Sequence, residues 1–229
     1  MRYIGKTGER EVKSLKKPSL YTLFIMIGVV IGIVISSLLY VTTGYSLFGR
    51  DTDQQPSAAG VSNAELTELA YNVLGYISNG NYSALSKVTH PEFGVVFSPY
   101  ATVALSTNKC FQKDQIAAFG SDNTAYVWGV QEGTGEPIEM TAGDYFTKYI
   151  LTKDFRDAPI IGINRIVKRG NALENMTEVF PDVKFVDFHI PGGEKDSSED
   201  FDWSSLRLGF EEFEGKLWLT VILSSKWTV

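Results

Sequence analysis

Hydrophobic and polar positions divide the chain into one apolar block near its start and a long series of short periodic patterns behind it. Leu20 to Val41 is a predominantly apolar run of 22 residues with no charged side chain. A hydrocarbon core about 30 Å thick takes roughly 20 helical residues to span, so the run predicts a transmembrane signal-anchor helix over 20–41. Gly49 to Gly60 is polar and aperiodic and predicts a linker, which with its flanks covers 42–61. Ser62 and Glu65 have capping-box spacing, and Leu66, Leu69, Ala70, Val73, Leu74 and Ile77 recur with helical period, which predicts an amphipathic helix ending near Ser78 before Gly80. A second short helix is expected from Tyr82 to Val88, closed by His90-Pro91.

From there the pattern turns to strands. Gly94 to Phe97 and Tyr100 to Leu105 read as a strand pair around Ser98-Pro99. A helix over Lys113 to Phe119 and an extended segment over Thr124 to Val130 follow. Thr141 and Asp144 then cap a helix that places Tyr145, Phe146, Tyr149 and Ile150 on one face and ends near Leu151. Beyond Ile160 four extended runs are expected, Ile161 to Val167, Val183 to Ile190, Ser204 to Phe213 and Leu217 to Leu223, the last two joined as a hairpin through Glu214-Gly215-Lys216. Helices first and a mainly antiparallel sheet afterwards define an α+β domain over 62–229.

Charge sets the expected orientation. Residues 1–19 hold six basic and two acidic side chains, +4 net, which leaves −10 for the remainder of a chain whose total is −6. By the positive-inside tendency the basic tail stays in the cytoplasm, so the expected location is the cell membrane, single-pass, with the C-terminal domain extracytoplasmic and the lipid bilayer as a partner through 20–41. Gly28 and Gly32 form a small-xxx-small pair able to bring two such helices together as a weak homodimer. The acidic balance argues against nucleic acid as a partner, and the single cysteine, Cys110, excludes an intramolecular disulfide.

The order of two helices, a strand pair, a third helix and a C-terminal meander resembles in topology the cone-shaped fold of the nuclear transport factor 2-like superfamily. The segments Asn79-Gly80-Asn81-Tyr82, His90 to Val95, Phe97-Ser98-Pro99-Tyr100, Trp128-Gly129, Gly133 to Ile138, Asp202 to Leu208 and Lys226-Trp227-Thr228 are similar to those of an uncharacterised extracytoplasmic domain carried by lipoproteins and membrane-anchored proteins of Gram-positive bacteria. The resemblance implies a cone of about three helices on a curved, mainly antiparallel sheet. It brings no catalytic motif.

Candidate chemistry is correspondingly sparse. Alternation places Asp187 and His189 on one face of a strand, a base with an orienting carboxylate if that face lines a pocket. Arg207, between Leu206 and Leu208, could hold an anion within the cone or pair with a carboxylate across the sheet. Trp218, with Trp203 and Trp227, belongs to an aromatic-rich C-terminus whose exposed members would anchor a partner. Asp187, His189, Arg207 and Trp218 are therefore the candidate ligand-binding residues. Asp196 to Asp202 is acidic but lacks the calcium-loop pattern and is expected to be a solvated loop. No cofactor or metal is expected. The leading reading is a non-catalytic binding or scaffolding domain engaging another envelope protein or a cell-wall component; the alternative is a small-ligand sensor or pocket enzyme.

Overall fold

The computed structural model describes residues 61–193 and 201–227. The chain divides into two units, Met1–Ser57 and Ala58–Val229, and the described residues belong to the second. Helix α1 (Asn63–Ser78) starts as its spacing demands: the Ser62 hydroxyl accepts from the Glu65 amide while the Glu65 carboxylate accepts from the Ser62 amide at 2.9 Å. Its buried residues are Leu66, Ala70, Val73, Leu74 and Ile77, the stripe read from the periodicity. Asn81 caps α2 (Tyr82–Lys87) through a side-chain bond from the Ala84 amide at 3.1 Å.

Strands β1 (Val95–Ser98) and β2 (Lys109–Phe111) pair antiparallel, followed by α3 (Lys113–Ala118) and a separate two-stranded ribbon of β3 (Tyr126–Val130) with β4 (Pro137–Met140). Helix α4 (Ala142–Tyr145) passes directly into a π-helical turn, Phe146–Ile150, and a 3₁₀ turn spans Phe155–Asp157. Then come β5 (Ile160–Ile163), α5 (Met176–Val179), β6 (Lys184–Ile190), β7 (Ser204–Phe213) and β8 (Lys216–Lys226). The main sheet has the order β2-β1-β8-β7-β6-β5, antiparallel throughout except where β1 runs parallel to β8. The β7–β8 turn uses Glu214 and Gly215 at φ 52° and 73°, the doubly positive conformation that follows the twist of a hairpin.

Both faces of this sheet are covered. Against one lie α1, α2, α3 and the π turn, enclosing Phe97, Val186, Phe188, Leu206, Leu208, Phe210, Leu219 and Ile222. On the other, the excursion 164–183 between β5 and β6 seats Met176 and Phe180 on Val96, Phe185, Val221 and Leu223. Gly209, opposite the bulge at Thr220 of β8, makes room for that cover: a Cβ there would overlap Val221 and press on Val183.

The expected fold class is corrected in three respects. Among the described residues no helix is long and apolar enough to cross a membrane, so the expected transmembrane, signal-anchor element is not part of the described fold, which is a mixed α+β domain with a sheet core. The expected tail 1–19, span 20–41 with its Gly28–Gly32 pair, and most of the linker 42–61 lie outside the described residues, as does the acidic stretch 196–200. Second, the helices number five rather than about three among the described residues, and only α1, at 16 residues, is long. Third, Tyr100 to Leu105 is not a strand. The Val103 amide and carbonyl are taken by the Asn175 side chain at 2.8 and 2.9 Å, and Ser98 Oγ donates to the Thr102 carbonyl at 2.7 Å, so the segment folds over the covering excursion and leaves β2 to pair with β1. Strand β5 likewise stops at Ile163, because Asn164 takes φ 50° and exchanges bonds with Phe185.

One glycine tests this packing. Gly94 has φ 86°, and a Cβ there would overlap the Phe111 carbonyl oxygen, whereas Gly80 at φ 62° faces open space. Gly80→Ala is expected to cost about 1–2 kcal/mol from backbone strain alone, and Gly94→Ala distinctly more, read as a lower urea midpoint at unchanged m-value.

Candidate functional site

The sequence-derived candidates fall into two places. Asp187 and Arg207 are register partners on β6 and β7, with His189 two residues further along β6, all on the face beneath 164–183. Arg207 is wholly buried. Its guanidinium donates from Nη1 to Glu174 Oε2 at 2.5 Å and from Nη2 to Asp187 Oδ2 at 3.3 Å, and lies over the Phe185 ring at 5.7 Å. Glu174 comes from the covering excursion, and its other oxygen accepts from Ser225 Oγ at 3.4 Å. Asp187 Oδ2 also accepts the Val167 amide at 2.9 Å. The three charged groups thus clamp the excursion to the sheet.

His189 is 3% exposed. Its Nδ1 is 2.9 Å from Ser205 Oγ, and its ring centroid is 5.7 Å from that of Trp203. Burial holds its pKa below the ordinary 6.5, with Asp187 opposing and Lys168 and Lys153 adding to the depression. The alternation read from the sequence is therefore correct, but the shared face is sealed. Trp218 stands apart, opposite Glu211 near the β7–β8 turn, half-buried, its Nε1 donating to the Phe213 carbonyl at 3.0 Å. His90 caps locally: its Nδ1 accepts the Phe93 amide at 3.0 Å. Cys110 is half-buried, its Sγ donating to the Phe93 carbonyl at 3.2 Å, and burial pushes its thiol pKa up against the pull of Lys109.

A second place was not singled out from the sequence. Tyr100, Gln131, Glu132, Lys148, Tyr149, Lys226 and Trp227 line a groove of about 380 Å³ at the end of β8. The π turn builds its wall: the Leu151 amide reaches back to the Phe146 carbonyl at 2.7 Å, and Tyr149 lies over Tyr145, 5.4 Å between centroids and 22° between planes. Tyr145 itself stacks on Trp128 at 3.9 Å and 6°, with Trp128 Nε1 anchored to the Met140 carbonyl at 2.9 Å. The ammonium groups of Lys148 and Lys226 sit 5.6 and 5.8 Å from the Tyr149 centroid. Tyr100 meets the same ring edge-on at 6.4 Å. Burial raises the pKa of Tyr100 and of Tyr149, so both phenols keep their protons at neutral pH and can donate. Trp227 is 40% exposed and contacts the still more open Phe201, with 4.8 Å between ring centroids. The sequence signal that could have found the groove is the repeated lysine–aromatic pair, Lys148-Tyr149 and Lys226-Trp227.

No protein-family profile matches this chain, and no curated protein matches it. A solved chain from Xanthomonas campestris, described as a candidate calcium/calmodulin dependent protein kinase II association domain, is similar at 16% identity and TM-score 0.31, covering 78% of this chain and 97% of its own. A likeness at that score carries no argument about fold, assembly or activity.

Two measurements check the buried cluster. Arg207→Ala leaves two carboxylates facing each other without their cation and is expected to lower the unfolding free energy by about 3–5 kcal/mol, read by urea denaturation. For His189, the unfolded chain takes up its proton near pH 6.5 while the folded imidazole resists it. This contribution to stability is complete above that pH and drains as pH falls through 6.5 toward the depressed folded value. Urea midpoints measured between pH 7.5 and 5 are expected to fall less in His189→Gln than in the parent.

Proposed function

We propose that the domain is a non-catalytic binding module whose contacts are made at the lysine–aromatic groove. The observation that supports this reading is where the reactive and the recognitional side chains lie. Lys148 and Trp227 are exposed and Lys226 and Tyr100 half-buried around one concave site. Asp187, His189 and Arg207, which a pocket enzyme would use, are at most 3% exposed and engaged with protein partners. An acid–base mechanism at those three residues would first require the excursion 164–183 to leave the sheet.

Exposed tryptophan beside cationic side chains is the composition of a recognition surface, since a few aromatic and cationic anchors supply most of the energy at such sites. The partner in this proposal is another envelope protein or a cell-wall component. That choice, and an extracytoplasmic setting, follow the resemblance to domains of Gram-positive surface proteins carried by Trp128-Gly129, Gly133 to Ile138 and Lys226-Trp227.

Trp227 makes the reading testable, because Trp128 and Trp203 are buried and Trp218 is half-buried. The full chain titrated with peptidoglycan fragments, wall polysaccharides and envelope peptides is expected to change its tryptophan emission with at least one of them, and Trp227→Phe is expected to abolish most of that change. No response to any member of the set, or an equal response in Trp227→Phe, would overturn the groove as the binding site.

A further inference from the structure

Resting on that reading, we propose that the groove takes an acidic carbohydrate, a sugar chain bearing carboxylate or phosphate groups. Charge is the first argument. The chain carries −6 overall, yet two ammonium groups from distant parts of it, the π turn and the end of β8, converge over a single tyrosine ring within 6 Å of its centroid. Glu132 lines the same groove, so its lining carries two cations against one carboxylate, and a net positive site in an acidic protein favours an anionic ligand.

Ring geometry is the second argument. Tyr100 and Tyr149 meet at 86°, forming a corner rather than a parallel slot. Tyr149 is only 7% exposed, so the accessible part of the corner is Tyr100 with the exposed Trp227 beside it, and the puckered ring of a sugar can lay its C–H groups on these without a parallel slot. Hydroxyl recognition is the third. Gln131, the two lysines and the two protonated phenols place hydrogen-bonding groups around the corner, which matches the hydrogen-bonding density of a carbohydrate better than that of an apolar ligand.

The shape of the site agrees with a polymer. The groove is open to solvent and bordered by the turn after β3, the π turn and the last residues of β8, so a chain can lie along it with Trp227 and Phe201 extending the apolar surface. A volume of about 380 Å³ is at the small end of the roughly 300–1,000 Å³ common for ligand sites, suited to one or two sugar units gripped at a time. Its borders are turns and element ends, so a peptide adding a strand would find little backbone to pair with.

The test is calorimetric titration of the full chain with four probes: oligogalacturonate for carboxylate, a phosphomannan fragment for phosphate, an uncharged maltooligosaccharide, and an acidic peptide. One or both anionic sugars are expected to bind, with affinity falling as salt rises. Replacing both ammonium groups, Lys148→Gln with Lys226→Gln, is expected to weaken that binding about tenfold or more and to flatten the salt dependence, with the melting temperature unchanged. Whichever anionic sugar binds more tightly identifies the acidic group. Equal binding of the uncharged sugar would overturn the requirement for acid, and tighter binding of the acidic peptide would overturn the carbohydrate; either result leaves the groove a binding site. Absence of binding by all four probes while the fluorescence titration finds a ligand would overturn this proposal alone, and silence in both experiments would overturn the binding module with it.

Discussion

A guanidinium with no access to water governs this domain. Arg207 sits on the central pair of strands where alternation points it away from the helices, and no arginine is neutral at any pH a cell meets. Left on an open sheet it would be an ordinary solvated charge. Here Glu174 and Asp187 close on it from the cover and from the neighbouring strand, and the burial is tolerable only while both are in place. The cluster therefore fixes where 164–183 lies, and with it the second apolar layer of Met176, Phe180, Val183 and Phe185. Dispersion and hydrophobic burial hold that layer, but neither is directional. The ion pairs and the side-chain bonds of Asn164 and Asn175 supply the register.

This division of labour explains what was legible in the chain. The elements fixed by local periodicity came through: α1 with its Ser62–Glu65 box, the Asn81-capped α2, and the β7–β8 hairpin, whose Glu214-Gly215 turn tolerates two positive φ values. The segments that deviate are those whose backbone partners are remote. Tyr100 to Leu105 has the composition of a strand, yet Val103 is claimed by Asn175, 72 residues away. No local pattern encodes that bond. The covering excursion was invisible for the same reason: its first residues read as the end of the run Ile161 to Val167, and it becomes a structural layer only through Glu174, Asn175 and Met176.

The candidate residues divide along the same line. Alternation put Asp187 and His189 on one face of a strand, as the structure has them, and the register of the neighbouring strand adds Arg207 to it, but alternation cannot say whether the far face of a sheet is open or covered. Helical period places Tyr145 and Tyr149 on one apolar face; the switch from α4 to a π turn changes their meaning. Tyr145 remains stacked on Trp128 in the core, its hydroxyl without a hydrogen-bond partner among the described residues. Burial raises its pKa well above the usual phenol value. Tyr149, one widened turn later, carries the stack outward to become the wall of the groove.

That continuity from core to groove bears on how the site keeps its shape. A recognition surface made of loose loops must order itself on binding, at a cost set by each side chain immobilised. Here the floor is the outer member of a stack of Trp128, Tyr145 and Tyr149, with Trp128 pinned by the Met140 carbonyl, so its position is set by folding. Trp227 is in a different situation, following directly on β8 and in contact with the exposed Phe201. The groove thus combines a preformed wall with an adjustable rim, and its lysines reach in from both. Affinity in such a site comes from the rigid wall, while selectivity among ligands of similar charge depends on what the rim can close upon.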